Sequence, residues 1–149
     1  MPEGRLHFAS GRDYLHIEPT RRAYAEAADY WDGNWIYADV AVRAGAFQGA
    51  YEALLRADEF HDFRHQLAVL YEALSGVARF EAMENWVRVH IAGDGRGHFL
   101  ARCTLRDNLG MGNELNFGLE FDQTAIPKML QDLDRLLHAF PVKGSSADR

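Results

Sequence analysis

The alternation of apolar and polar positions marks out most of the elements of this chain. Leu6-His7-Phe8 and Tyr14-Leu15-His16-Ile17 flank Ser10-Gly11-Arg12-Asp13, a pattern that predicts a short opening hairpin. Residues 23–30 fit neither period: their Ala and Glu favour helix, but the run is short. Asp32-Gly33-Asn34 is a turn signal. From Trp35 to Arg43 the pattern has period two, with Ile36, Ala38, Val40 and Val42 on one face, as in a half-buried strand. Gly45 breaks it, and Phe47 to Leu55 reads as a strand pairing back. Asp58 reads as a helix N-cap. Phe60, Phe63, Leu67, Leu70 and Leu74 then recur at helical spacing until Gly76.

Three strands follow, Glu84–Ile91, His98–Arg106 and Glu114–Phe121, each with apolar residues at odd positions. A last helix starts near Asp122 or Thr124, tolerates Pro127 in its first turn and stops at Pro141. Its apolar face is Ile126, Met129, Leu130, Leu133, Leu136, Leu137 and Phe140. If Gly93-Asp94-Gly95 turns the first late hairpin, Val89 faces Phe99, His90 faces His98 and Trp86 faces Arg102. Loop 107–113 then sets Leu105 against Leu115 and Arg106 against Glu114. The expected fold is an α+β two-layer sandwich: an antiparallel meander sheet of about six strands with two helices covering one face. The other face would carry Tyr37, Asp39, Arg43, Arg88, His90, His98, Arg102, Thr104, Arg106 and Asn116.

Composition bears this out in kind. A chain of 149 residues with 48% hydrophobic and 26% charged side chains is one ordinary domain, neither disordered nor fibrous. No repeat or linker divides it. The ordered core is expected over about 5–142, with Lys143 to Arg149 a frayed tail. The single cysteine, Cys103, excludes an internal disulfide and fits a reducing, cytoplasmic setting. The N-terminus lacks a signal-peptide pattern, and no stretch approaches the roughly 18 apolar residues of a membrane helix. A net charge of -6 argues against nucleic acid as a partner and in favour of a basic protein.

Catalytic and cofactor motifs are missing. Gly93-Asp94-Gly95-Arg96-Gly97 lacks the Lys-Ser/Thr of a phosphate loop and precedes a strand. No Gly-x-Ser-x-Gly is present, and Cys103 should point into the core. His61 and His65, at i and i+4, have metal-ligand spacing without a third fixed ligand. The expectation is therefore no enzyme, no cofactor and no metal. Charge is more informative. Residues 24–62 hold eight acids against two bases, whereas residues 79–106 hold five Arg against three acids. An acidic side with Tyr30, Trp31 and Phe60 interleaved suits docking on a basic protein, with charge speeding encounter and aromatics anchoring. The alternative reading is that Trp31 and Phe60 are core and the acids merely solubilise.

The order of motifs also carries a resemblance. Tyr30-Trp31-Asp32-Gly33-Asn34-Trp35-Ile36 leads into a strand, an acidic Leu-rich helix follows, and then comes Phe80-Glu81-Ala82-Met83-Glu84-Asn85-Trp86. Over roughly residues 13–142 this resembles the WapI-type immunity proteins of bacterial toxin systems. The resemblance implies a cytoplasmic, non-enzymatic protein that binds and blocks a cognate toxin domain, and it carries no catalytic residues over. The contacts expected for such a partner are Asp29, Trp31, Asp32, Asp58, Glu59 and Asp62. Two rival readings use the open sheet: a small-molecule or metal-binding module built on Arg88, His90, His98 and Arg102, or a homodimer.

Overall fold

The computed structural model describes residues 4–147. The opening hairpin forms as its pattern predicts, from β1 (Leu6–Ser10) and β2 (Asp13–Arg22), with Phe8 opposite Leu15. The ambiguous stretch before Trp35 is irregular until Tyr30, where a single helical turn, α1 (Tyr30–Gly33), begins. β3 (Trp35–Ala44) buries Ile36, Ala38, Val40 and Val42, and pairs with β4 (Phe47–Arg56). α2 (Ala57–Ala73) follows, then β5 (Ser75–Glu81), β6 (Val87–Asp94), β7 (His98–Arg106), β8 (Glu114–Asp122) and α3 (Ile126–Ala139).

The strands do not form one sheet of about six. They form two antiparallel sheets of four, in the orders β1-β2-β3-β4 and β5-β6-β7-β8. A four-stranded meander followed by a long helix thus occurs twice, although the sequence shows no repeat. The division falls at α2. β5 does not return to β4 but starts the second sheet, paired with β6. Each long helix then lies against the first strand of a sheet, α2 against β5 and α3 against β1, and the helices also pack on each other. Arg64 and Asp134 bridge them at 2.9 Å. The inner faces of both sheets meet the apolar stripes of both helices in one cluster that includes Phe8, Ile17, Leu55, Phe63, Phe80, Phe99 and Leu133.

Further expectations change. Strand β5 carries little pattern: of its seven residues only Ala78 and Phe80 are buried. Residues 84–86, read as strand, form the loop before β6. The first late hairpin turns two residues later than expected. Val89 faces Cys103 and His90 faces Arg102, so His90 and His98 are not opposite each other. Asp94 closes this turn by accepting the Arg96 and His98 backbone N–H groups at 2.7 and 3.1 Å, and Gly95 and Gly97 supply its left-handed positions. Gly93 serves another purpose: a Cβ there would stand 2.3 Å from the Leu74 carbonyl oxygen. The shift is even, so the same residues stay inside. The next hairpin has the expected register, with Leu105 opposite Leu115 and Arg106 bridged to Glu114 at 2.7 Å.

The helix ends also differ. Asp58 is the second residue of α2, and the N-cap is Arg56, in extended conformation. Leu74, not Gly76, adopts the left-handed conformation that ends the helix. α3 is preceded by a turn over 123–125, capped by Asp122, whose carboxylate accepts the Thr124 N–H at 2.9 Å. Lys143, expected in a frayed tail, is held fast. Its N–H donates to Asn34 Oδ1 at 2.8 Å and its ammonium donates to the Ala27 carbonyl at 2.8 Å.

Candidate partner-binding surface

The acidic side is organised by a buried cation. Arg56, at the end of β4, is 1% exposed. Its Nε donates to Asp58 Oδ1 at 2.9 Å, Nη1 to the Trp31 carbonyl at 2.8 Å and Nη2 to the Tyr30 carbonyl at 2.7 Å. The rings of Tyr30, Trp31 and Trp35 stand 4.8 to 5.7 Å from the guanidinium carbon. A buried charge needs such saturation by hydrogen bonds and a counter-ion. The planar fork supplies three bonds in directions that a lysine could not match. The aromatics of the Tyr30–Ile36 motif therefore build a cage for Arg56.

The rest of that motif is equally structural. Asn34 is fully buried, and its amide donates to the Tyr30 and Lys143 carbonyls. A Cβ on Gly33 would meet the Ala27 carbonyl oxygen at 2.9 Å. Arg22 donates to the Gly33 and Pro141 carbonyls. A four-residue helix has no stability of its own. Here it is clamped by two arginines, an asparagine and the C-terminal segment.

The sequence-predicted contact residues fall into two groups. Asp29, Asp32 and Asp62 are exposed. Asp29 also caps α1 by accepting the Asp32 N–H at 3.0 Å. Asp58 and Glu59 turn inward. Asp58 accepts the Tyr30 hydroxyl at 3.0 Å in addition to Arg56, and this bond ties α1 to the start of α2. Glu59 accepts the Arg56 backbone N–H at 2.8 Å and the Met83 N–H at 2.5 Å. Burial raises its carboxyl to about 7 against the pull of those two N–H donors. Trp31 is half-buried, and Phe60 is wholly in the core and presents nothing to a partner. Next to this edge the loop before β6 exposes Met83, 59% accessible. The Tyr30–Asp58 bond joins α1, which carries Asp32, to the start of α2, which carries Asp62, and the Glu59–Met83 bond joins the loop before β6 to the same end of α2.

The rival residues lie on the open face of the second sheet. His90 bonds Glu81 at 2.6 Å, Arg102 is its cross-strand neighbour, and His98 lies at the start of β7 beside Glu120 at 3.8 Å. His61 and His65 are exposed on α2. Among the described residues no group of three or more His, Cys, Asp or Glu is placed to hold a metal ion. Cys103 is buried, which pushes its thiol up to about 12 and leaves it protonated. No helix among the described residues is long and apolar enough to cross a membrane.

Sequence reasoning missed the hub itself. Arg56 counted only as one of two bases in an acidic stretch, since a fully buried arginine is rare and has no pattern of its own. Tyr30, Asn34 and Lys143 stood in or near a suspected motif without a role.

The crystal structures of Trypanosoma bruciei MRP1/MRP2 resemble this fold with a TM-score of 0.49 at 14% identity, covering 87% of this chain and 76% of that one. Among curated proteins none matches in sequence. The family described as "Immunity protein WapI-like" matches residues 5–141, a span that includes the Arg56 cage, both sheets and both long helices. This chain belongs to the WapI-like immunity protein family.

Proposed function

We propose that this protein neutralises a cognate toxin domain in the cytoplasm by binding it, with no catalysis and no cofactor. The family membership carries this reading. The acidic edge supports a basic partner: Asp29, Asp32 and Asp62 project from an edge fixed by the Arg56 cage, with Met83 beside them as an apolar anchor. An edge fixed before encounter loses little conformational freedom on binding. Exposed charges of one sign accelerate association with a basic surface and reject acidic ones. Trp31, Asp58 and Glu59 serve this interface from beneath, by holding α1 and the loop before β6 in place.

The test is capture of the partner from the native lysate by tagged full-length protein, identified by mass spectrometry, with a high-salt wash as control. A basic protein recovered in equal amount and released by salt supports the proposal. Its undiminished recovery by the D29K/D32K/D62K variant refutes the acidic edge as the contact. Recovery of only acidic proteins refutes the proposed partner chemistry.

A further inference from the structure

The open face of the second sheet presents three guanidinium groups with nothing to hold. Arg79, Arg88 and Arg102 are exposed, and their side chains have no hydrogen-bond or ion-pair partner among the described residues. Carboxylates on the same face are already engaged: Glu81 with His90 at 2.6 Å, Glu114 with Arg106 at 2.7 Å, Glu120 with His98 at 3.8 Å. The two central rows of this face thus carry three free arginines against Glu81 alone, a local positive cluster on a chain whose net charge is -6.

Their placement follows from register. Arg79, His90, Arg102 and Gly118 form one row across the four strands, and Glu81, Arg88, Thr104 and Asn116 form the next. Arg79 and Arg102 are two strands apart, about 10 Å. Gly118 at the end of the row leaves Arg102 open on that side. A third row, Val77, Ala92, Leu100 and Glu120, gives an apolar margin over its first three strands. Along the β5 edge lies α2, where Gln66 Oε1 accepts the Arg79 backbone N–H at 2.9 Å. That contact blocks strand addition at this point and brings Val69 of α2 near Val77 of β5. Val69 and Val77 are 56% and 40% exposed and line a shallow groove with Leu70 between helix and strand.

We propose that this face docks an acidic segment of a partner protein. One apolar side chain of the segment sits between Val69 and Val77, and flanking carboxylates meet Arg79, Arg102 and Arg88. Guanidinium groups match carboxylates in paired, planar hydrogen bonds. A nucleic acid fits less well. The face carries no Phe, Tyr or Trp on which bases could stack, and the acidic remainder of the chain repels a polyanion. The proposal is independent of the toxin-binding reading, because it uses groups of the opposite charge on the open face of the second sheet, whereas Asp29, Asp32 and Asp62 lie at α1 and on α2.

The probe is a short labelled peptide rich in Glu with one central Leu, titrated into the full-length protein at low salt and followed by fluorescence anisotropy. Saturable binding at one peptide per chain is expected. R79E/R102E weakens it about tenfold, replacement of the peptide's Leu by Ser weakens it further, and D29K/D32K/D62K does not weaken it. The substituted arginines are exposed, and circular dichroism verifies that the variants remain folded. Absence of saturable binding overturns the proposal, as does equal binding by R79E/R102E. Tighter binding of single-stranded oligothymidine than of the peptide reassigns the face to nucleic acid. A doubled mass in solution that R79E/R102E abolishes reassigns it to a second copy of this chain.

Discussion

Replacing Arg56 by Met keeps most of the side-chain volume and removes the charge. Asp58 Oδ1 and the Tyr30 and Trp31 carbonyls each lose a donor at 2.7 to 2.9 Å. The arginine is 1% exposed and the Asp58 side chain 15%, so water restores little of what is lost. Removing one partner of a buried pair costs about 3–5 kcal/mol. Asp58 keeps its Tyr30 hydroxyl, which places the expectation near the lower end, about 3 kcal/mol. In a chain of this size that lowers the melting temperature by roughly 10 °C. Urea unfolding followed by far-ultraviolet circular dichroism measures the loss, and tryptophan emission reports the cage directly through Trp31 and Trp35. R56K retains a charge beside Asp58, but one ammonium cannot also reach both carbonyls, so it should lose about half as much. In a double-mutant cycle, R56M and D58N should couple by about 1 kcal/mol or more. A cost for R56M below about 1 kcal/mol, or additive effects in the cycle, would show that α1 is held by something other than this cation.

Four further outcomes are expected. Glu59 binds its proton at about 7 in the folded chain against an ordinary 4.5, so folding takes up a proton between those values and this group stabilises the fold as pH falls from about 7 to 4.5. His16 runs the opposite way. Its pKa drops to about 4, through burial, Arg5 and the His7 ring 4.4 Å away, so stability falls as pH drops from 6.5 to 4. The two slopes oppose each other: E59Q should make acidification more destabilising than in the parent, and H16Q less so, with urea midpoints from pH 4.5 to 7.5 as the readout; identical profiles in all three proteins would contradict both assignments. Gly93→Ala forces a methyl group against the Leu74 carbonyl and the Phe99 ring, and should cost about 1–3 kcal/mol in the same assay. Gly118→Ala, which meets only ordinary contacts, should be nearly neutral.

What could be read from the sequence depended on whether the cause was local. The alternation in β3 and the apolar stripes of α2 and α3 report which face is buried, and they were legible as written. The β7–β8 register follows from matching apolar faces across a loop. Strand β5 was illegible because its inner face begins at Gly76, which has no side chain, and leaves only Ala78 and Phe80 as signal. The β6–β7 turn was ambiguous among three glycines, and the choice is made by a contact with Leu74, distant in sequence. The division into two sheets is also a long-range outcome, since nothing in β4 states that β5 will not return to it. At the candidate surface, acidity was legible and orientation was not. Asp58 and Glu59 look like Asp62 in sequence, yet one neutralises a buried arginine and the other caps a helix while accepting the Met83 N–H from the loop before β6.

The distinction decides how the binding surface is to be tested. Reversing Asp58 and Glu59 would disturb the fold along with the surface, whereas Asp29, Asp32 and Asp62 can be reversed with the cage intact. The most direct measurement is the association rate between this protein and its captured partner, by stopped-flow fluorescence across a range of salt concentrations. The parent should associate rapidly, with a rate that falls steeply as salt rises. D29K/D32K/D62K should associate about tenfold more slowly at low salt, with a flattened salt dependence. An unchanged rate and an unchanged salt slope in that variant would contradict the acidic edge as the surface that meets the partner.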